Sequence, residues 1–117
     1  LLSKMINLVF KEKNNLIMGF TCNGHAGYAS SGEDIVCAAI SSLVQNTEIC
    51  LSEVMNIKLN VQRNDKNAKF DLTFAKNVSE NEIINAQNIL KALKISSQRI
   101  EKEYKKYLKV EVENEII

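Results

Sequence analysis

Polar and apolar residues alternate from Met5 to Lys11: Ile6, Leu8 and Phe10 fall on one side of an extended chain, Asn7, Val9 and Lys11 on the other. Lys13-Asn14-Asn15 makes a polar turn, and a second strand runs through LIMGFTCNGH. In that strand Met18, Phe20 and Cys22 share one face, Thr21, Asn23 and His25 the other. Residues 5–25 therefore read as a hairpin. Periodicity stops at AGYASSGE, where Gly27 and Gly32 permit backbone angles closed to other residues. From Asp34 the period becomes 3.6: Val36, Ile40, Leu43, Thr47, Leu51 and Val54 form a mostly apolar stripe to about Met55. Cys37, Ser41 and Glu48 lie on an adjacent, more polar face.

Alternation returns after Asn56, with Ile57, Leu59 and Val61 opposing Lys58, Asn60 and Gln62. Asn64-Asp65-Lys66-Asn67 turns the chain, and Phe70, Leu72 and Phe74 oppose Lys69, Asp71 and Thr73, a second hairpin with one wet face. Ser79 with Glu82 three residues on spells a capping box. The helix it opens carries Ile83, Ala86, Leu90, Leu93, Ser97, Ile100 and Tyr104 at helical spacing. Leu108, Val110 and Val112 alternate with Lys109, Glu111 and Glu113, as a short last strand or a tail that pairs with a partner would.

One-faced strands need a cover, and two one-striped helices supply it. The expected fold is α+β: a two-layer sandwich in β-β-α-β-β-α order, with both helices on one face of an antiparallel sheet and a short C-terminal strand as an optional addition. Residues 1–117 make a single domain, large enough for a core without staples. Residues 1–4 read as a leader or cloning remnant ahead of Met5.

Composition narrows the function classes. The chain is 45% hydrophobic and 25% charged with a net charge of +1, and its lysines are interleaved with acids. Nucleic-acid binding needs a concentrated basic surface, so no direct nucleic-acid partner is expected. No run approaches membrane-spanning length, so no membrane partner is expected. Cys22, Cys37 and Cys50 are odd in number and lack disulfide-framework spacing, which fits reduced thiols in a cytoplasm.

The chemistry concentrates in GHAGYASSGEDIVCAAIS, which holds the only histidine, one cysteine and three of the four glycines. Asp34 suits a helix N-cap, which makes Cys37 the third helical residue, where the helix dipole favours a thiolate. His25 ends the preceding strand. If strand end and helix start are neighbours, the thiolate attacks a carbonyl, the imidazole carries the proton to the leaving amine, and amides at the helix start receive the oxyanion. Ser41, one turn on, could bond the thiolate or orient His25, and Asn23 shares the face of His25. The alternative for Cys37 is a small buried residue; Cys22 and Cys50 read as core. Cys22 and His25 have ligand-like spacing but face opposite sides of a strand, so no metal and no other cofactor is expected.

These residues resemble the signature of the ribosomal-processing cysteine proteases of the Prp family: a Gly-His pair, a variable glycine-containing loop, Asp-Ile-Val-Cys-Ala, and a serine one turn later. The resemblance implies an endopeptidase that removes a short N-terminal extension, ending in paired phenylalanines before a small residue, from a large-subunit ribosomal protein. It matches His25 and Cys37 to the catalytic pair, and Gly24, Asp34 and Ser41 to supporting positions. It implies a homodimer, and a mobile loop over bound peptide at Ala26, Gly27, Tyr28, Ala29, Ser30, Ser31, Gly32 and Glu33. Two other readings stand beside it. One is a ribosome-associated binding or assembly factor without catalysis. The other is a thiol redox sensor, disfavoured because no second cysteine lies near Cys37 in the sequence.

Overall fold

The computed structural model describes residues 5–24, 31–64, 66 and 68–115, and within the first helix it describes side chains from residue 35 onward. The elements are β1 (Ile6–Lys13), β2 (Leu16–Asn23), α1 (Ser31–Ile49) with a π-helical extension (Cys50–Val54), β3 (Leu59–Asn64), β4 (Lys69–Phe74), α2 (Glu80–Glu103) and β5 (Leu108–Asn114). The expected two-layer α+β sandwich is present, terminal strand included.

One expectation changes. The sheet order is β3-β4-β2-β1-β5, and β5 runs parallel to β1, so the sheet is mixed. β4 already runs in the direction of β1, and α2 carries the chain back across the sheet before β5 begins. Such a helical crossover is what same-direction strands require. The apolar tail is thus an edge strand of the chain's own sheet, paired from Ile6↔Leu108 to Glu12↔Asn114. The carboxylate of Glu101 accepts the Val110 backbone N–H at 2.8 Å.

The first hairpin turns on Asn14 and Asn15, both at positive φ (52° and 65°), the combination a two-residue turn of this twist needs. Beyond the turn, Glu12 pairs with Ile17 but Lys11 pairs with Gly19, so Met18 is an extra residue in β2. This bulge reverses the alternation on its turn side. Ile17, not Met18, is consequently buried with Phe20.

A single apolar cluster fills the space between the layers. Ile6, Leu8, Phe10, Ile17, Phe20 and Leu72 from the sheet meet Val36, Ile40, Val44, Leu51, Ala86, Leu90 and Leu93 from the helical layer. The α1 stripe follows the sequence pattern except in its middle and at its C-terminal end. Leu43 is half-buried, Val44 takes a core place, and Val54 is 72% exposed. The π turn causes the last of these: Met55 N–H bonds to Cys50 O at 3.0 Å, five residues back, which rotates Val54 off the stripe. Contrary to the sequence reading, Ile35–Val54 is long and apolar enough to cross a membrane, with mean hydropathy 1.4. Here it serves as a core helix, with Val36, Ile40, Val44, Thr47 and Leu51 buried.

On α2 the capping box forms as expected: Glu82 N–H donates to Ser79 Oγ and Ser79 N–H to Glu82 Oε1, both at 3.1 Å. Ser97 is wholly buried, and its hydroxyl finds no hydrogen-bond partner among the described residues. Ser97→Ala removes a desolvated polar group without breaking a bond, so thermal denaturation should show the variant more stable by about 1 kcal/mol.

Candidate active site

Cys22 sits directly opposite Leu8 on β1 and Phe70 on β4, which turns its side chain to the helix-covered face of the sheet. Two residues later Gly24 ends β2 at φ +74°. Its N–H donates to Ala68 O at 2.9 Å, and a Cβ there would lie 2.9 Å from Met5 O. Backbone angle and crowding therefore both demand glycine at the position just past β2. Gly24→Ala should cost about 1–3 kcal/mol of strain. It should also displace the following residue, so peptide cleavage should fall further than thermal stability does.

Across from this strand end, Cys37, Ser41, Val44, Gln45, Glu48 and Ile49 recur at three- and four-residue spacing and line one side of α1. Between them and the sheet runs an open groove of about 670 Å³, with Cys22, Gly24, Ala68, Lys69 and Phe70 on the far wall and Ile6 and Ile40 among its apolar lining. Cys37 is half-buried, a free thiol near one end. Glu48 and Arg63 form an ion pair from α1 to β3 further along. The Arg63 guanidinium also lies 5.1 Å from the Phe70 ring centroid. Phe70 in turn stacks at 5.8 Å on Phe20, and Phe20 at 5.9 Å on Phe10, so an aromatic row joins groove to core.

Ser41 Oγ accepts a hydrogen bond from Gln45 Nε2 at 3.0 Å, which leaves the serine hydrogen for a bond toward the groove. Cys22 differs from Cys37 in environment. Burial, and then the electrostatic influence of the neighbouring Cys37, push the Cys22 thiol up to about 11. It stays protonated at neutral pH.

The structure corrects the start of α1. The helix begins at Ser31, so the backbone of Ser31, Gly32 and Glu33, expected in the loop, is helical, and Asp34 stands inside the helix rather than at its N-cap. Glycine inside a helix costs only about 1 kcal/mol, so Gly32 is not the break its residue type suggests. Cys37 becomes the seventh helical residue. The amides with no intrahelical acceptor belong to residues 31–34, one turn short of the thiol, and dipole effects fade within the first turn. His25, Ala26, Gly27, Tyr28, Ala29 and Ser30 lie outside the described residues, as do the side chains of Ser31, Glu33 and Asp34.

Of the sequence candidates, Gly24, Cys37 and Ser41 thus border one groove. Sequence reasoning missed Cys22, Gln45, Arg63 and Phe70 as groove residues. Alternation put Cys22 on the apolar face and helical spacing put Ser41 and Glu48 beside Cys37, but neither signal says which strand end lies under which helix turn.

This architecture is shared by solved structures. A crystal structure from Streptococcus mutans superposes with a TM-score of 0.84 at 19% identity, covering 96% of this chain and 97% of that one. The ribosomal processing protease Prp of S. aureus in complex with a substrate peptide superposes with a TM-score of 0.80 at 21% identity, covering 93% and 100%. The ribosomal processing cysteine protease Prp of Bacillus subtilis (strain 168) is 24% identical over 94 residues, 80% of this chain and 84% of that protein. A family model described as cysteine protease Prp matches residues 5–109, which takes in both hairpins, the thiol-bearing helix and α2. With that model covering residues 5–109 of this chain, the chain belongs to the Prp family of cysteine proteases.

Proposed function

We propose that this chain is an endopeptidase that removes the N-terminal extension of a large-subunit ribosomal protein, with Cys37 as nucleophile and His25 as proton carrier. The observation that carries the reading is the placement of Cys37 at the end of a groove long enough for several peptide residues, in a chain matched by the family along nearly its whole length.

The thiolate of Cys37 attacks the scissile carbonyl, and the negative charge passes to the carbonyl oxygen. His25 gives its proton to the departing amine; water then attacks the thioester, returning the thiol. With the helix-start amides one turn away, the Ser41 hydroxyl, backed by Gln45, lies one turn after Cys37 on the same groove-lining side of α1. It can bond the developing oxyanion or steady the thiolate. Ile40, Val44, Ile49 and Phe70 give the groove an apolar wall suited to phenylalanine side chains, which carry large contact area. The proposal extends to a homodimer acting in the cytoplasm, a state that sedimentation of the purified chain tests.

The deciding experiment incubates the full-length ribosomal protein with the enzyme and reads its N-terminus by mass spectrometry. A shortened N-terminus that depends on the Cys37 thiol is the expected result. Ribosome association that survives thiol alkylation, with the extension intact, would overturn the reading in favour of a binding factor.

A further inference from the structure

Cys22 is the thiol in the groove that peptide hydrolysis does not use. It lies fifteen positions before Cys37, but the fold places the two thiols on facing walls, Cys22 on β2 and Cys37 on α1, and both pack against the same core cluster. The objection that no second cysteine is near Cys37 holds only along the chain. Cys50, in the π turn, is outside the groove lining.

The two sulfurs are also chemically unequal. Burial first, and then its electrostatic coupling to Cys37 across the groove, raise the Cys22 pKa, so Cys22 holds its proton at neutral pH. A protonated thiol reacts slowly with peroxides, because the thiolate is the nucleophile. Cys22 is therefore suited to the second step of an oxidation, not the first.

We propose that Cys22 is a resolving thiol for Cys37, so that a hydroperoxide closes a Cys22–Cys37 disulfide that switches the protease off reversibly. The inference rests on the reading of Cys37 as the reactive thiol. In the first step the Cys37 thiolate attacks one peroxide oxygen and the O–O bond breaks. The alcohol, or water from hydrogen peroxide, departs with a proton, and Cys37 becomes a sulfenic acid. In the second step Cys22 sulfur attacks Cys37 sulfur, the S–O bond breaks, and the Cys22 proton leaves with the hydroxide as water. One hydroperoxide is thus reduced for two thiols oxidised, and a dithiol reductant restores both. The consequence is protection, since a sulfenic acid with no thiol to meet proceeds to sulfinic acid, which thiols do not reverse.

The test exposes the purified full chain to hydrogen peroxide and maps it by mass spectrometry without reduction. The expected product is two hydrogens lighter than the starting protein and yields a cross-linked peptide joining Cys22 to Cys37. Dithiothreitol should return both the mass and the cleavage rate. Cys22→Ser should instead accumulate sulfinic acid at Cys37 and, after dithiothreitol, regain less than about a tenth of its own untreated rate. Cys50→Ser should behave as the wild type. Formation of the cross-link should quicken as pH rises toward the Cys22 value, because the attacking sulfur sheds its proton.

The proposal is overturned if the wild type forms sulfinic acid at Cys37 as fast as Cys22→Ser does, or if the disulfide joins Cys50 or two chains. A Cys37 that resists peroxide, together with cleavage that survives its alkylation, would instead sink the nucleophile assignment itself. The mass readout needs no active enzyme, so the two failures are separable.

Discussion

Cys37→Ala is expected to abolish cleavage of the extension peptide while leaving a folded protein. Removing the nucleophile of a catalytic unit costs on the order of 10⁶ in kcat, because the covalent route disappears and the remaining groups cannot act alone. Cys37 is half-buried, and its replacement by alanine deletes one sulfur atom beside a solvent-open groove. That should lower stability by about 1 kcal/mol, far less than the loss in rate. The two measurements together decide the matter: single-turnover cleavage followed by mass spectrometry, and thermal denaturation of the same sample. An inactive, unfolded variant would speak only to packing, so Cys37→Ser, which keeps the shape and a hydroxyl, serves as the second probe. It too should be folded and severely impaired. Wild-type cleavage by Cys37→Ala would remove thiol chemistry from the account altogether.

Gln87→Leu should be among the most destabilising single changes in the chain. Gln87 is only 5% exposed, and its amide is inserted against the bulged strand β2. Ile17 N–H donates to Gln87 Oε1 at 2.7 Å, while Gln87 Nε2 donates to Ile17 O at 2.9 Å and to Ile83 O at 3.1 Å. Leucine has nearly the same volume but offers neither donor nor acceptor. The Ile17 N–H and C=O would then remain buried without these partners, at about 1–3 kcal/mol each, for a total near 2–6 kcal/mol. A domain of this size has roughly 5–15 kcal/mol in all, so the variant should melt well below the wild type. Chemical denaturation gives the difference directly. A loss below about 0.5 kcal/mol, the level of an ordinary surface change, would show that the bulge does not depend on this amide.

Gln87 also shows what kind of information the sequence withholds. A glutamine beside an apolar stripe reads as an edge residue. Its role depends on the bulge at Met18, beside Ile17, which lies seventy positions away along the chain and whose backbone the bulge makes available to it. The thiols teach the same lesson at the site. Cys22 reads as a core residue by alternation, and that is half true, since burial does raise its pKa. The other half, its place in one groove with Cys37, required the tertiary arrangement of α1 and the sheet.

Local interactions made much of this protein legible from its residues alone. Strands announced themselves by two-residue alternation and helices by a 3.6-residue stripe, because each pattern reflects which side of a single element faces the core. The capping box at Ser79 and Glu82 and the Asn14-Asn15 turn involve neighbours within three residues, so they too were readable. The thiol protease signature was legible because its chemistry is packed into eighteen consecutive residues. The three-dimensional structure was needed for the rest: the parallel pairing of β5 with β1, the bulge at Met18, the start of α1 at Ser31, the turning out of Val54, and the shared groove of Cys22 and Cys37. Apart from the helix start and the π turn, these depend on contacts between segments far apart in sequence. Their energies are summed over many weak packing and hydrogen-bond terms, and no periodicity within one segment records which distant segment will supply them.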